Sequence, residues 1–133
     1  MPLANDRNTP LRDTEIVGVP TAAGAKIFGG ALVAISAAGF AVPGSVATTL
    51  TYFGRAEGKV DNTGGADGAK TALVRRKKAF KWMNSATDPI SQADFGKTCY
   101  IVDDQTVAKT NGANTRSACG RVLGVDVDGV WVE

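Results

Sequence analysis

The chain contains no histidine among its 133 residues. That removes the commonest general base, the commonest metal ligand and most nucleophile triads. Cysteine is nearly absent too. Cys99 and Cys119 are too few for a disulfide framework and form no Cys-x-x-Cys knuckle. They are expected to be two small thiols packed on strands. Gly64-Gly65 lacks the following Lys-Ser/Thr of a phosphate-binding loop. No window sustains an apolar period of about 3.6 residues, so no long helix is expected. Neither sign of charge dominates. The formal net charge of +2 gives no whole-molecule field toward nucleic acid or an anionic membrane. The opening residues Met1 to Arg7 lack a basic-then-apolar leader pattern. Synthesis in a reducing cytoplasm is therefore expected.

Charge is missing altogether between Lys26 and Arg55. By length alone this stretch could cross a bilayer as a helix. Gly29-Gly30, Gly39 and Pro43-Gly44 interrupt it, however, and Ala, Ser and Thr dilute its large apolar residues. No Lys/Arg-rich flank orients it. It reads instead as short strands. One is expected from about Ala25 to Ser36, then a turn at Ala37-Ala38-Gly39 and a return through Phe40-Ala41-Val42. Phe28, Leu32, Val33, Ile35 and Phe40 are its core candidates.

What the sequence has is alternation and turns, with 16 glycines to supply them. Glu15 to Pro20 reads as a first strand stopped by proline. Thr49 to Val60 puts Leu50, Tyr52, Gly54, Ala56 and Val60 on one face. Thr51, Phe53, Arg55, Glu57 and Lys59 fall on the other, where Phe53 is the apolar exception. In Ala69 to Met83 the residues Ala72, Val74, Phe80 and Trp82 share one parity, and Leu73, Ala79 and Met83 the other. Four successive cations, Arg75, Arg76, Lys77 and Lys78, interrupt this segment, so the strand must bend or leave the core there. Ser91 to Phe95 reads as a single helical turn stopped by Gly96. Thr98 to Val102, Thr106 to Lys109, Ser117 to Val127 and Val130 to Val132 read as further strands. Asp128-Gly129 is a type I′ hairpin signal. Eight or nine short strands in all, by this reading, indicate an all-β domain, a small β-barrel or β-sandwich over residues 15–133. Met1 to Thr14, polar and broken by Pro2 and Pro10, precedes it as an extended arm that either orders on a partner or has no role.

Three polar groupings invite a chemical reading. Asp61, Asn62 and Asp67 suggest calcium, but lack the spaced acids and closing Glu of a calcium loop. Asx and Gly residues at these positions are what turns need. Asp103-Asp104 suggests acid/base work, but adjacent strand residues face opposite ways, so a hairpin turn is the more economical account. The run Arg75 to Lys78 has two readings: a contact patch for an acidic protein surface or a phosphate backbone, or a solvated hairpin end. No catalytic residue, cofactor or metal is expected.

The segments Ala23 to Val33, Gly39 to Gly44, Gly54 to Glu57, Val60 to Asn62, Gly65 to Gly68, Gly96 to Val107 and Val125 to Val132 together resemble the small cement, or decoration, proteins of tailed-bacteriophage heads and prophages. The resemblance runs from about Ile16 onward. It implies a compact β domain, a homotrimer on the outer face of the phage head, made in the bacterial host cytoplasm. The partner it implies is the major capsid protein, whose lattice it would clamp against internal pressure. It brings no catalytic residue, membrane or nucleic acid. The run Arg75 to Lys78 is more basic than that family leads one to expect. Arg7, Arg12, Phe53, Arg75, Arg76, Lys77 and Lys78 are the candidate partner-binding residues. The alternatives are another phage structural component, such as a head-fibre base or tail subunit, and a small nucleic-acid-binding β-barrel working through the cationic run.

Overall fold

The structure, a computed structural model, describes residues 1–133 and is all-β apart from one 3₁₀ turn at Gln92–Asp94. The strands are β1 (Ile16–Pro20), β2 (Lys26–Ile27), β3 (Leu32–Ile35), β4 (Ala41–Pro43), β5 (Thr51–Ala56) and β6 (Val60–Asp61). They continue as β7 (Thr71–Arg75), β8 (Phe80–Asn84), β9 (Thr98–Ile101), β10 (Thr106–Ala108), β11 (Ala118–Asp126) and β12 (Gly129–Val132). No helix is long and apolar enough to cross a membrane.

Two β units are built from these strands. The first is a five-stranded sheet in the order β1-β7-β5-β3-β4. It curls until its edges meet, where Thr21, just past β1, bridges Ala41 on β4. The ribbon β2–β6 lies against it, with Ile27 fully buried beneath. The second unit is a closed barrel, β10-β8-β12-β11-β9, sealed by the parallel pair β10–β8.

The uncharged stretch joins the two. Leu32, Val33 and Ala34 on β3 are all fully buried. Leu32 and Ala34 face the barrel residues Phe80, Trp82, Ile101 and Val130, in one core. Ala31 and Val33 face a second core of Val19, Ala41, Ala56, Ala72 and Val74. A strand buried on both faces reads as a continuous apolar run rather than an alternation. That is why charge is missing here. The expected strand from Ala25 to Ser36 is in fact broken by a turn at 28–31, which separates β2 from β3. Phe28 sits on this turn, 52% exposed and flanked by Lys26 and Lys59, and is not a core residue. Phe40 and Ile35 are only half-buried.

Side chains stitch the loops to these units. The Asn62 amide, almost wholly buried, donates to the carbonyls of Ala22 (2.9 Å) and Ala66 (3.0 Å). Asp61 accepts from the Thr63 amide and Asp67 from the Ala23 amide, so this trio works as loop staples. Asp103 accepts from the Gln105 amide, which makes the turn into β10. Ser117 ties the barrel to the first unit, donating to Ala47 O (2.6 Å) and accepting from Leu50 N (3.0 Å). The β11–β12 hairpin turns at Val127-Asp128, neither of which takes positive φ. It is therefore not the type I′ turn expected at Asp128-Gly129. Gly129 belongs to the strand, where a Cβ would come within 2.8 Å of Trp82 O.

Candidate functional site

The segment Ala69 to Met83 does not form one strand. β7 belongs to the first unit, β8 to the barrel, and residues 76–79 carry the chain between them. Both halves keep the expected faces. Ala72, Val74, Phe80 and Trp82 are buried, whereas Leu73 and Met83 are exposed. The cations lie at the crossing because strands on either side have core positions to fill and the crossing has none.

The four cations separate into two pairs. Arg75 reaches Glu57 (Nε–Oε1 2.9 Å) and Glu15 (Nη1–Oε1 3.3 Å). Lys78 Nζ lies 3.0 Å from the same Glu15 oxygen. Arg75 and Lys78 therefore mainly hold β1, β5 and the crossing together. Arg55 joins the network through Glu57 at 2.9 Å. The register places Arg55 opposite Arg75, a like-charge pair that Glu57 offsets by bonding to both. Arg76 and Lys77 enter no ion pair and no side-chain hydrogen bond. The Arg76 guanidinium instead lies over the Phe53 ring, 4.6 Å from its centroid.

Phe53 is there because of a β-bulge. Val33 pairs with Gly54 and Ala34 with Tyr52, which leaves Phe53 as an extra residue in β5. Face parity slips across it. Tyr52 packs on the barrel core and receives the Trp82 Nε1–H at 3.3 Å, and burial pushes its phenol up. Phe53 packs on the second core with Ala56. Arg55, past the bulge, returns to the barrel side with its guanidinium 5.0 Å from the Phe80 ring centroid. A single alternating strand from Thr49 to Val60 thus gives way to a bulged β5 and a separate β6.

Phe53, Arg76, Lys77 and Lys78 line one groove of about 420 Å³, together with Tyr52, Gly54, Phe80 and Glu133. Of the residues singled out from sequence, Phe53, Arg76, Lys77 and Lys78 are brought together here. Arg75 is turned into the ion-pair network. Arg7 and Arg12 lie on the exposed arm, away from the groove lining. Lys77 takes φ +61°, a left-handed conformation in which a side chain is disfavoured. Sequence gave no sign of this, nor of Glu15 and Glu57 as the acids that divide the cationic run.

Elsewhere the titratable groups serve structure. Asp88 accepts from Thr110 and from Arg116 Nη1 (2.9 Å), and these hydrogen bonds hold its carboxyl below the usual range. Cys99 and Cys119 are free thiols on the paired strands β9 and β11, and burial pushes Cys119 up.

The ion-pair network makes acid sensitivity an expected result. Hydrogen bonding from Lys78 lowers the Glu15 carboxyl, and hydrogen bonding from Arg75 lowers Glu57, both below the ordinary value of 4.5. The folded carboxyls hold their protons less tightly than the unfolded ones. Their contribution is therefore full above the ordinary carboxylate range and is lost as pH falls through the lowered folded values. Urea denaturation from neutral pH down to about pH 3 should show stability falling below about pH 4.5. Glu57→Gln should be less stable at neutral pH and lose less on acidification. An unchanged acid slope in that variant would remove Glu57 from the account.

Comparison with known protein families, with curated proteins and with solved structures gives no match to this chain.

Proposed function

We propose that this chain is a structural virion protein of the capsid cement type, which binds the outer face of a tailed-phage head and stabilises the major capsid protein lattice as a homotrimer. The role is mechanical, with no catalytic step. The sequence resemblance suggests the reading, and one structural observation carries it: the surface holds an exposed arm and cations that no acid of this chain pairs with. Met1 to Asp13 is exposed residue by residue, Leu3 and Leu11 included. Arg7 and Arg12 on that arm have no acid partner, and Arg76 and Lys77 on the crossing are equally free. An extended arm that orders on a neighbour, together with a basic groove, suits a module that joins lattice subunits. Many modest contacts repeated around a lattice add to large avidity.

The test is to add purified protein to expanded heads that lack it. Saturable binding is expected, with density on the outer surface in electron micrographs and a higher disruption temperature. Deleting residues 1–14 is expected to weaken binding by about tenfold or more, because linked contacts multiply in avidity. Failure to bind heads, or binding without any gain in heat resistance, would overturn the proposal. Density at a tail or fibre position would favour a different virion component.

A further inference from the structure

We propose that the groove between Phe53 and the Arg76-Lys77 crossing is a binding site for a carboxylate side chain of a protein partner, held by Arg76 and Lys77 rather than by Arg75 or Lys78. The head-binding reading supplies only the identity of that partner, and the chemistry of the site follows from the groove.

The first support is the division of charge. Arg75 and Lys78, with Arg55, share Glu57 and Glu15, but no acid of this chain pairs with Arg76 or Lys77. The second is desolvation. The Arg76 Nε–H is shut off from solvent and meets no acceptor. A cation that has already lost part of its hydration gains more from an incoming anion than a fully solvated one does. The third is orientation. The Arg76 guanidinium is placed over the Phe53 ring, its central carbon 4.6 Å from the ring centroid. Its terminal N–H groups make no hydrogen bond within the chain, and a carboxylate accepts from such an edge with two oxygens. The fourth is strain. Lys77 keeps a side chain at φ +61°, where glycine would sit more comfortably. Strain of this kind gathers at binding sites.

The groove suits a single carboxylate better than a nucleic-acid backbone. Two free cations neutralise few phosphates, and the formal net charge is only +2. The Arg76 guanidinium already lies over the Phe53 ring, so a base would have to displace it to stack on that side.

The experiment titrates the ¹⁵N-labelled full chain with a short Asp-Gly-Asp-Gly peptide, followed by NMR, and in parallel with oligothymidylate. Peptide-induced shifts should centre on the amides of Phe53, Arg76 and Lys77 and on the Arg76 side-chain N–H. Arg76→Gln should weaken the peptide by about tenfold or more. Arg12→Gln should change it by no more than about twofold. Lys77→Gly should raise the melting temperature and yet weaken the peptide. Higher stability with unchanged peptide binding would take Lys77 out of the site. No shift at these residues with peptide, or a response to oligothymidylate alone, overturns the proposal. The R76Q/K77Q double variant on empty heads separates the two readings. If the peptide gives no response while wild type and double variant bind heads equally, the carboxylate site falls and the head-binding role stands. If the peptide response is present and lost in the variant while wild type ignores heads, the site stands and the head-binding role falls.

Discussion

Leu32→Ala is expected to lower the unfolding free energy by about 3–4 kcal/mol, toward the upper part of the range for a buried leucine truncation. Leu32 is fully buried and belongs to the barrel core, although its strand belongs to the other unit. Its amide donates to Asp104 O at 2.7 Å, and its carbonyl accepts from Gly44 N at 2.9 Å. Those backbone ties limit how far β3 can collapse into the space left, and a cavity that cannot collapse is the costly kind. The loss should appear in urea denaturation as a lower midpoint with an unchanged slope, since the native fold is kept. Phe28→Ala is the companion measurement. Phe28 is larger but sits on an exposed turn, so its removal should stay within about 0.5 kcal/mol. If Phe28→Ala costs as much as Leu32→Ala, the uncharged stretch has been placed with the wrong residues inward.

That pair also shows how much of the fold was legible. Absence of charge marks burial at Ala31 to Ala34, because a strand covered on both faces has no place for a charged side chain, but residues 37–39 and 45–46 of the same uncharged stretch are exposed. It cannot mark which residues leave the strand. Gly29-Gly30 is a turn signal, and Phe28 goes with the turn rather than with the apolar run it begins. Parity was reliable wherever the strand was regular. Ala72, Val74, Phe80 and Trp82 all face inward even though two of them lie in one unit and two in the other. It failed past Phe53, where Arg55 and Ala56 exchange their expected faces, since a bulge is set by what the neighbouring strand allows and not by the local pattern. The helical turn at Ser91 to Phe95 was legible because its capping is local: Asp94 accepts from the Ser91 amide at 2.8 Å, and Gly96 takes φ +82°. For the site, the cationic run and Phe53 were visible as residue types. Their division into two acid-paired and two unpaired cations depends on Glu15 and Glu57. These acids lie 60 and 18 residues from Arg75 in sequence, and only the sheet order β1-β7-β5 brings them to it.

Gly54→Ala is expected to cost about 2–3 kcal/mol, in the range for forcing extra atoms into a packed interior, and to disturb the groove as well. A Cβ at this position would fall on the carbonyl oxygen of Arg75 and come within 3.2 Å of Val74 Cγ1. The obstacle is backbone rather than the end of a flexible side chain, so β5 and β7 must part to admit it. Those strands pair only through Arg55–Arg75 and Ala56–Val74, a short ladder with little to spare. Parting them also moves Phe53, the residue next door, which the bulge holds under the Arg76 guanidinium. Circular dichroism melting should therefore show a lower midpoint, and the Arg76 side-chain N–H resonance should lose the upfield shift that an aromatic face imposes. Gly58→Ala is the control, because a Cβ there meets open space. It should be neutral or stabilising by about 0.4–1 kcal/mol through the unfolded chain. Equal tolerance of alanine at Gly54 and Gly58 would mean that β5 carries no bulge, and Arg55 would then share the face of Phe53, as strict alternation assigns it. With a true bulge, one glycine without a side chain links the stability of the first sheet to the position of the aromatic ring that orients Arg76.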